Sequence, residues 1–173
     1  TKVHSMDDNY AHLSASLTAE ADARLEYVPG PTILNESARC LQTIEVDVDP
    51  EGVVILTDVL APDGLSDHDP FDFDHYLSRV EARCDGELVC LDTVDLQPTT
   101  GRPTDPVAMG EFGSVGTLYA FAPGEDTEAL AESVHEAIAE ETAGVSELPR
   151  GAGLSVRALG DEPSAVEETL RAA

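Results

Sequence analysis

The stretch CLQTIEVDVDPEGVVILTDVLAP, residues 40–62, decides the fold class. Ile44, Val46 and Val48 alternate with Thr43, Glu45 and Asp47, a period of two that belongs to a strand with one buried face. Asp49-Pro-Glu-Gly52 supplies a turn. The chain then enters VVILTDVL, an apolar run suited to a strand buried on both faces. Asp58 interrupts that run. A carboxylate there must be paired, protonated or turned toward a polar cavity.

The same device recurs on either side. In residues 11–28, His12, Ser14 and Ser16 alternate with Leu13, Ala15 and Leu17, and Leu25 and Tyr27 alternate with Arg24 and Glu26. Pro29-Gly-Pro31 reads as a corner between successive strands. Downstream, APDGLSDHDPFDFD reads as a polar loop. HYLSRVEAR and ELVCLDTVDLQP then flank Asp85-Gly86, a strong two-residue hairpin signal. Unbroken pairing from that turn sets Cys84 opposite Glu87, Cys90 opposite Glu81 and Asp92 opposite Arg79, an expected cross-strand ion pair. The sulfurs of Cys84 and Cys90 would lie roughly 10 Å apart, too far to bridge. TTGRPTDP reads as a further loop. The period then changes. Leu130, Val134, Ala137 and Ile138 lie at helical spacing, with Asp126 or Thr127 to cap the start and Gly144 to end it. GLSVRALG reads as a short strand. A second helix begins at Pro163, with Asp161 near its cap and Val166 and Leu170 on one face. The expectation is one mainly β domain over residues 1–173, with two helices near the C-terminus.

Composition narrows the function classes. The chain has 9 Lys and Arg against 35 Asp and Glu, a net charge of -26, and its one lysine is Lys2. Such a surface is the habit of proteins from salt-rich cytoplasm, and without a basic patch it does not suit nucleic acid. No apolar run is long enough to span a bilayer, so no membrane partner is expected. Three cysteines at irregular spacing do not form a disulfide framework, and reduced thiols suit the cytoplasm. Cys40 reads as a small packing residue, since its neighbour Arg39 points to the opposite face of the strand. Arg39 suits a structural or partner contact. No signal peptide opens the chain, and it starts at Thr1 without a Met, so the natural start is expected further upstream.

Chemistry-bearing groupings are few. Asp67, His68, Asp69, Asp72 and Asp74, with His75, form the most metal-like segment, but without the spacing of a calcium loop or zinc motif. His4 and His135 read as surface residues. No Gly-x-Ser-x-Gly and no phosphate-binding loop occurs, and no base accompanies Asp58 or Asp92 as a hydrolase would require.

Several ordered stretches resemble the urease accessory protein UreD (UreH) family: TKVHSM, ARLEYVPGPTILNESARCLQTIEVDV, VILTDVLAPDG, FDFDHYLSRVEARCDGELVCLDTVDL, GTLYAF and GAGLSVRALGD. The resemblance covers nearly the whole chain, which looks like the C-terminal two-thirds of a family member, without the usual N-terminal segment. It implies a β-helix-like body of stacked sheets of mostly short strands. It also implies a non-catalytic role in nickel insertion into apo-urease, in complex with UreF and, through it, the GTPase UreG. UreF docking is expected on the C-terminal part. No tightly bound cofactor is implied, only transient Ni2+. Asp58 and Asp92 fall at acidic positions of the family, and Asp69 takes the place of its glutamate before Phe71. These three are the expected carboxylates along a nickel path. Thr1 falls at a hydroxyl position before Lys2. Oxygen ligands that hold a cation weakly suit transfer, because a carrier must also release. The competing reading is a salt-adapted β-rich module that buffers metal through the loop from Asp67 to Asp74.

The surface charge makes a first prediction. Raising KCl from dilute buffer to molar concentration screens the self-repulsion and should raise the melting temperature, read by circular dichroism.

Overall fold

The computed structural model describes residues 1–62, 70–101, 109–139 and 141–173. The chain is mainly β with two helices, and its two sheets are not closed. Among the described residues eleven strands follow one another: β1 (Lys2–Val3), β2 (Ala11–Ala19), β3 (Arg24–Tyr27), β4 (Thr32–Leu34), β5 (Arg39–Val48), β6 (Val53–Pro62), β7 (His75–Cys84), β8 (Glu87–Leu96), β9 (Ser114–Phe121), β10 (Ala143–Glu147) and β11 (Gly153–Gly160). Helix α1 (Thr127–Ala137) precedes β10, and α2 (Pro163–Ala172) follows β11.

The first two-thirds of the chain is a coil. β2, β5 and β7 lie parallel in a four-stranded sheet ordered β2-β5-β7-β8. β3, β4 and β6 lie parallel in the opposite, seven-stranded sheet. Parallel neighbours need a crossover, and here each crossover is a strand of the other sheet. Register is strict in the long strands β5, β6, β7 and β9 because one face of each is buried between the sheets, where a one-residue slip would turn the apolar set outward. β6 is apolar throughout because both its faces are covered. Val54, Leu56 and Leu60 face the opposite sheet, while Val59 packs with Val166 and Leu170 of α2.

Pro29-Gly-Pro31 is a corner, and it has a consequence for β6. β3 pairs with Val53–Leu56 and β4 with Leu60–Pro62. Between them, residues 57–59 have no ladder partner on that side. Asp58 sits in the middle of this window.

Four expectations are corrected. The β7–β8 hairpin turns at Asp85-Gly86, both at positive φ as a primed turn requires, and Cys84 opposes Glu87. A bulge at Ala82/Arg83 then shifts the register, so Cys90 opposes Ala82 and Asp92 opposes Val80. Val89 and Cys90, consecutive residues beside this bulge, are both buried. The Asp92–Arg79 pair does not form, and Arg79 binds Glu81 instead. Helix α1 is capped by Asp126, whose carboxylate accepts from the Ala129 N–H, but it ends at Ala137 rather than at Gly144. Ile138 turns into the core, and Gly144 joins β10 against β11. Asp161 does not cap α2, whose N-cap is Glu162 without a side-chain bond. The loop before β7 is not polar throughout, because Phe71 and Phe73 are buried.

β9 was not singled out as a strand from the residues. Val115, Thr117, Tyr119 and Phe121 face the opposite sheet, and Gly116 lies beneath α2. A Cβ at Gly116 would come within 2.5 Å of Val166 Cγ1 and 2.9 Å of Leu170 Cδ1. Gly116→Val should therefore push α2 off the sheet and cost about 1–3 kcal/mol, measured by urea unfolding at high salt.

Candidate functional site

The space between the sheets is not uniformly apolar. One cluster holds Leu17, Ile44, Val46, Val54, Leu56, Val80 and Phe121; a second holds Leu34, Cys40, Leu60, Phe73, Tyr76 and Met109. Each main strand passes from one cluster to the other through a polar, inward-facing residue. On the four-stranded sheet these are Gln42 and Ser78, which are direct register partners. On the seven-stranded sheet they are Asp58, Thr117 and Arg157, also partners across adjacent strands. The result is a polar stratum that crosses the sandwich between two apolar cores.

Asp58 is its centre. Ser78 Oγ donates to Asp58 Oδ2 at 2.8 Å, and the Tyr76 hydroxyl lies 3.4 Å from each carboxylate oxygen. Gln42 Nε2 donates to Ser78 Oγ at 3.1 Å. Buried polar groups are tolerated only when bonded in this way. Burial, and then the Asp58 charge, pushes the Tyr76 phenol well above its usual range, so it stays a donor.

Asp58 borders two cavities. One, of about 320 Å³, opens beside the Pro29-Gly-Pro31 corner and the β2 edge; Thr1, Tyr27, Thr32 and Gln42 share its wall. The other, of about 430 Å³, lies toward β8 and β11, with Tyr76, Leu96, Met109, Thr117 and Arg157 in its wall. The carboxylate is thus reachable from both sides of the sandwich.

Asp92 belongs to the same stratum but is held differently. Its Oδ2 accepts from the Tyr119 hydroxyl at 2.6 Å and from Arg157 Nη2 at 2.6 Å. Burial, and then the bond to Asp92, raises the Tyr119 phenol. Asp58 and Asp92 each face the sheet interior, but no direct contact joins them; Thr117 stands between Asp58 and Arg157 in the row.

The other expected residues lie apart. Arg39 points outward, with Nε and Nη2 each 2.9 Å from Asp74 Oδ2 and its guanidinium 6.0 Å from the Tyr10 ring. Tyr10 and Asp95 each hydrogen-bond His75 at 3.0 Å. Arg39 thereby ties the start of β7 to β5. Thr1 sits at the mouth of the first cavity, and its carbonyl accepts from Ile33 N at 2.7 Å. Asp69, with Asp67 and His68, lies outside the described residues. Among the described residues, no three His, Cys, Asp or Glu side chains converge as a metal cage, and no helix is long and apolar enough to cross a membrane. Gln42, Ser78, Thr117 and Arg157 were not singled out from sequence. The available signal was a polar residue at an apolar phase of each strand.

The class defined here is a coiled, parallel-β body whose core is divided by a polar stratum lying between two cavities. The UreD urease accessory protein family model matches residues 1–173, so the chain belongs to that family. It is 57% identical over 174 residues to the urease accessory protein UreD of Natronomonas pharaonis, covering 99% of this chain and 58% of the relative. It is 51% identical to that of Haloquadratum walsbyi, over 100% of this chain and 58% of the relative. It is 32% identical to the urease accessory protein UreD 2 of Streptomyces griseus, over 100% of this chain and 62% of the relative. The chain therefore spans about three-fifths of the length of these relatives.

Two of the three thiols, Cys40 and Cys90, are buried in the interior. Burial, and then the charge of the adjacent carboxylate, raises Cys40 (beside Asp58) and Cys90 (beside Asp92) to about 11. Because these folded-state values exceed the ordinary thiol value, their contribution to stability is intact below about pH 9 and fades as pH rises toward 11. At pH 8 a thiol reagent should label Cys84 in the native protein, and Cys40 and Cys90 only after unfolding, as read by mass spectrometry.

Proposed function

We propose that this chain serves urease maturation as a non-catalytic scaffold that assists nickel insertion into apo-urease, together with UreF and UreG. The observation that carries the nickel part is Asp58, a carboxylate in the wall of two cavities and held there by neutral donors. A divalent cation in the second cavity meets hard oxygen ligands in the carboxylate and the Tyr76 and Thr117 hydroxyls, and one in the first meets the same carboxylate beside the Gln42 and Thr32 side chains. Such a set binds weakly, which suits passage over storage. Asp69 is proposed to extend this oxygen set outside the described residues. Asp92 enters it only when Arg157 releases it.

Membership of the UreD family supports the partner part of this reading. UreF is assigned to the C-terminal part of the chain, where α1 and α2 flank a groove lined by Val28, Ile55, Leu118, Leu130 and Leu154.

Asp58→Asn keeps the hydrogen-bonding shape and removes the charge. In cells that express the whole accessory set, it should lower urease activation several-fold while leaving the fold and co-purification with UreF intact. Unchanged activation would refute the role of Asp58. The buffering reading predicts instead that activation responds to loss of Asp67, His68, Asp69, Asp72 and Asp74, and not of Asp58.

A further inference from the structure

Arg157 is an anomaly in the stratum. A fixed positive charge in the wall of a cavity that receives cations should repel them. It shares the second cavity with Asp58, two strands away in the same row. Its Nη2 lies 2.6 Å from Asp92 Oδ2, and its Nε lies 3.4 Å from Thr117 Oγ1. Asp92 receives a second short bond, from the Tyr119 hydroxyl, on the same oxygen. Arg157 is in the wall of this cavity, and the side chains of Arg157 and Asp92 are 53% and 30% exposed, so the pair is within reach of solvent ions.

We propose that Arg157 is a tethered counter-cation that occupies Asp92 and so prevents the polar stratum from retaining a divalent cation there. The inference rests on the reading of the stratum as a cation path. Asp58 and Thr117 line the second cavity together with Arg157, and without the guanidinium the Asp92 carboxylate behind it would add a further hard oxygen ligand and a place for the ion to stop. The guanidinium is charged at every physiological pH and is weakly hydrated, so it competes well for a partly exposed carboxylate. A contact ion pair at this distance also survives salt that screens longer-range attraction. With Asp92 masked, a passing ion meets one carboxylate, Asp58, whose partners are neutral. Arg157 thus sets retention rather than entry.

The test is nickel titration of the full-length protein by calorimetry at high salt, with circular dichroism to confirm folding. Arg157→Met and Arg157→Ser pose the same question with an apolar and a polar replacement. Either should tighten nickel binding on the order of tenfold or add a site, because a carboxylate is unmasked and a like charge removed. Asp92→Asn in the Arg157→Met background should abolish that gain. Arg157→Lys, which restores a cation beside Asp92, should stay close to the parent. A folded Arg157→Met or Arg157→Ser protein that binds nickel no more tightly than the parent overturns the proposal, as does a gain that persists in the double variant. The readout does not require urease. Failure of Asp58→Asn to affect activation would remove the transport reading, yet leave the masking of Asp92 by Arg157 decided by the titration.

Discussion

The bond from Ser78 Oγ to Asp58 Oδ2, 2.8 Å long, joins the two sheets at their midpoint. Everything nearby is arranged around the cost of burying that carboxylate. Gln42 orients Ser78 from the neighbouring strand, and Tyr76 adds a hydroxyl that burial and the Asp58 charge keep protonated. The donors are neutral, so none of them sets a positive charge against Asp58. Asp92 is treated in the opposite way, with a guanidinium on the same oxygen as a phenol. Two carboxylates in one stratum therefore have different availability, set by their partners and not by depth alone.

The coil makes this stratum possible. At strict register, in the parallel pair β5–β7 and the antiparallel pairs β6–β9 and β9–β11 alike, one inward polar position per strand lines up into a continuous row. The Pro29-Gly-Pro31 corner interrupts the β3–β4 side of the sheet opposite residues 57–59. A feature that looks like a simple turn thus opens the first cavity toward Asp58. At the other end, the open edges near β8 and β10 leave room for the second cavity.

Much of this body was legible from residues alone. Period-two runs located β2, β3 and β5, an apolar run located β6, the Asp85-Gly86 signal located β7 and β8, and Asp58 announced itself by breaking the apolar run. What could not be read was long-range or non-periodic. The bulge between β7 and β8 has no local signature, and it moved Asp92 from Arg79 to a partner 65 residues away. β9 was not singled out from the residues, and the missing side chain of Gly116 within it is what lets α2 approach. Gly144 looked like a helix stop because glycine ends helices often, but the ladder with β11 claimed it. Gln42, Ser78 and Thr117 are ordinary polar residues in sequence. They gain meaning only when the sheets face each other.

The most direct measurement is an anomalous difference map at the nickel absorption edge, from crystals of the full-length protein soaked in nickel. The account predicts a peak on the Asp58 carboxylate between the two cavities, and none on Asp92 while Arg157 is present. Nickel confined to the acidic segment around Asp67–Asp74, with nothing at Asp58, would contradict it.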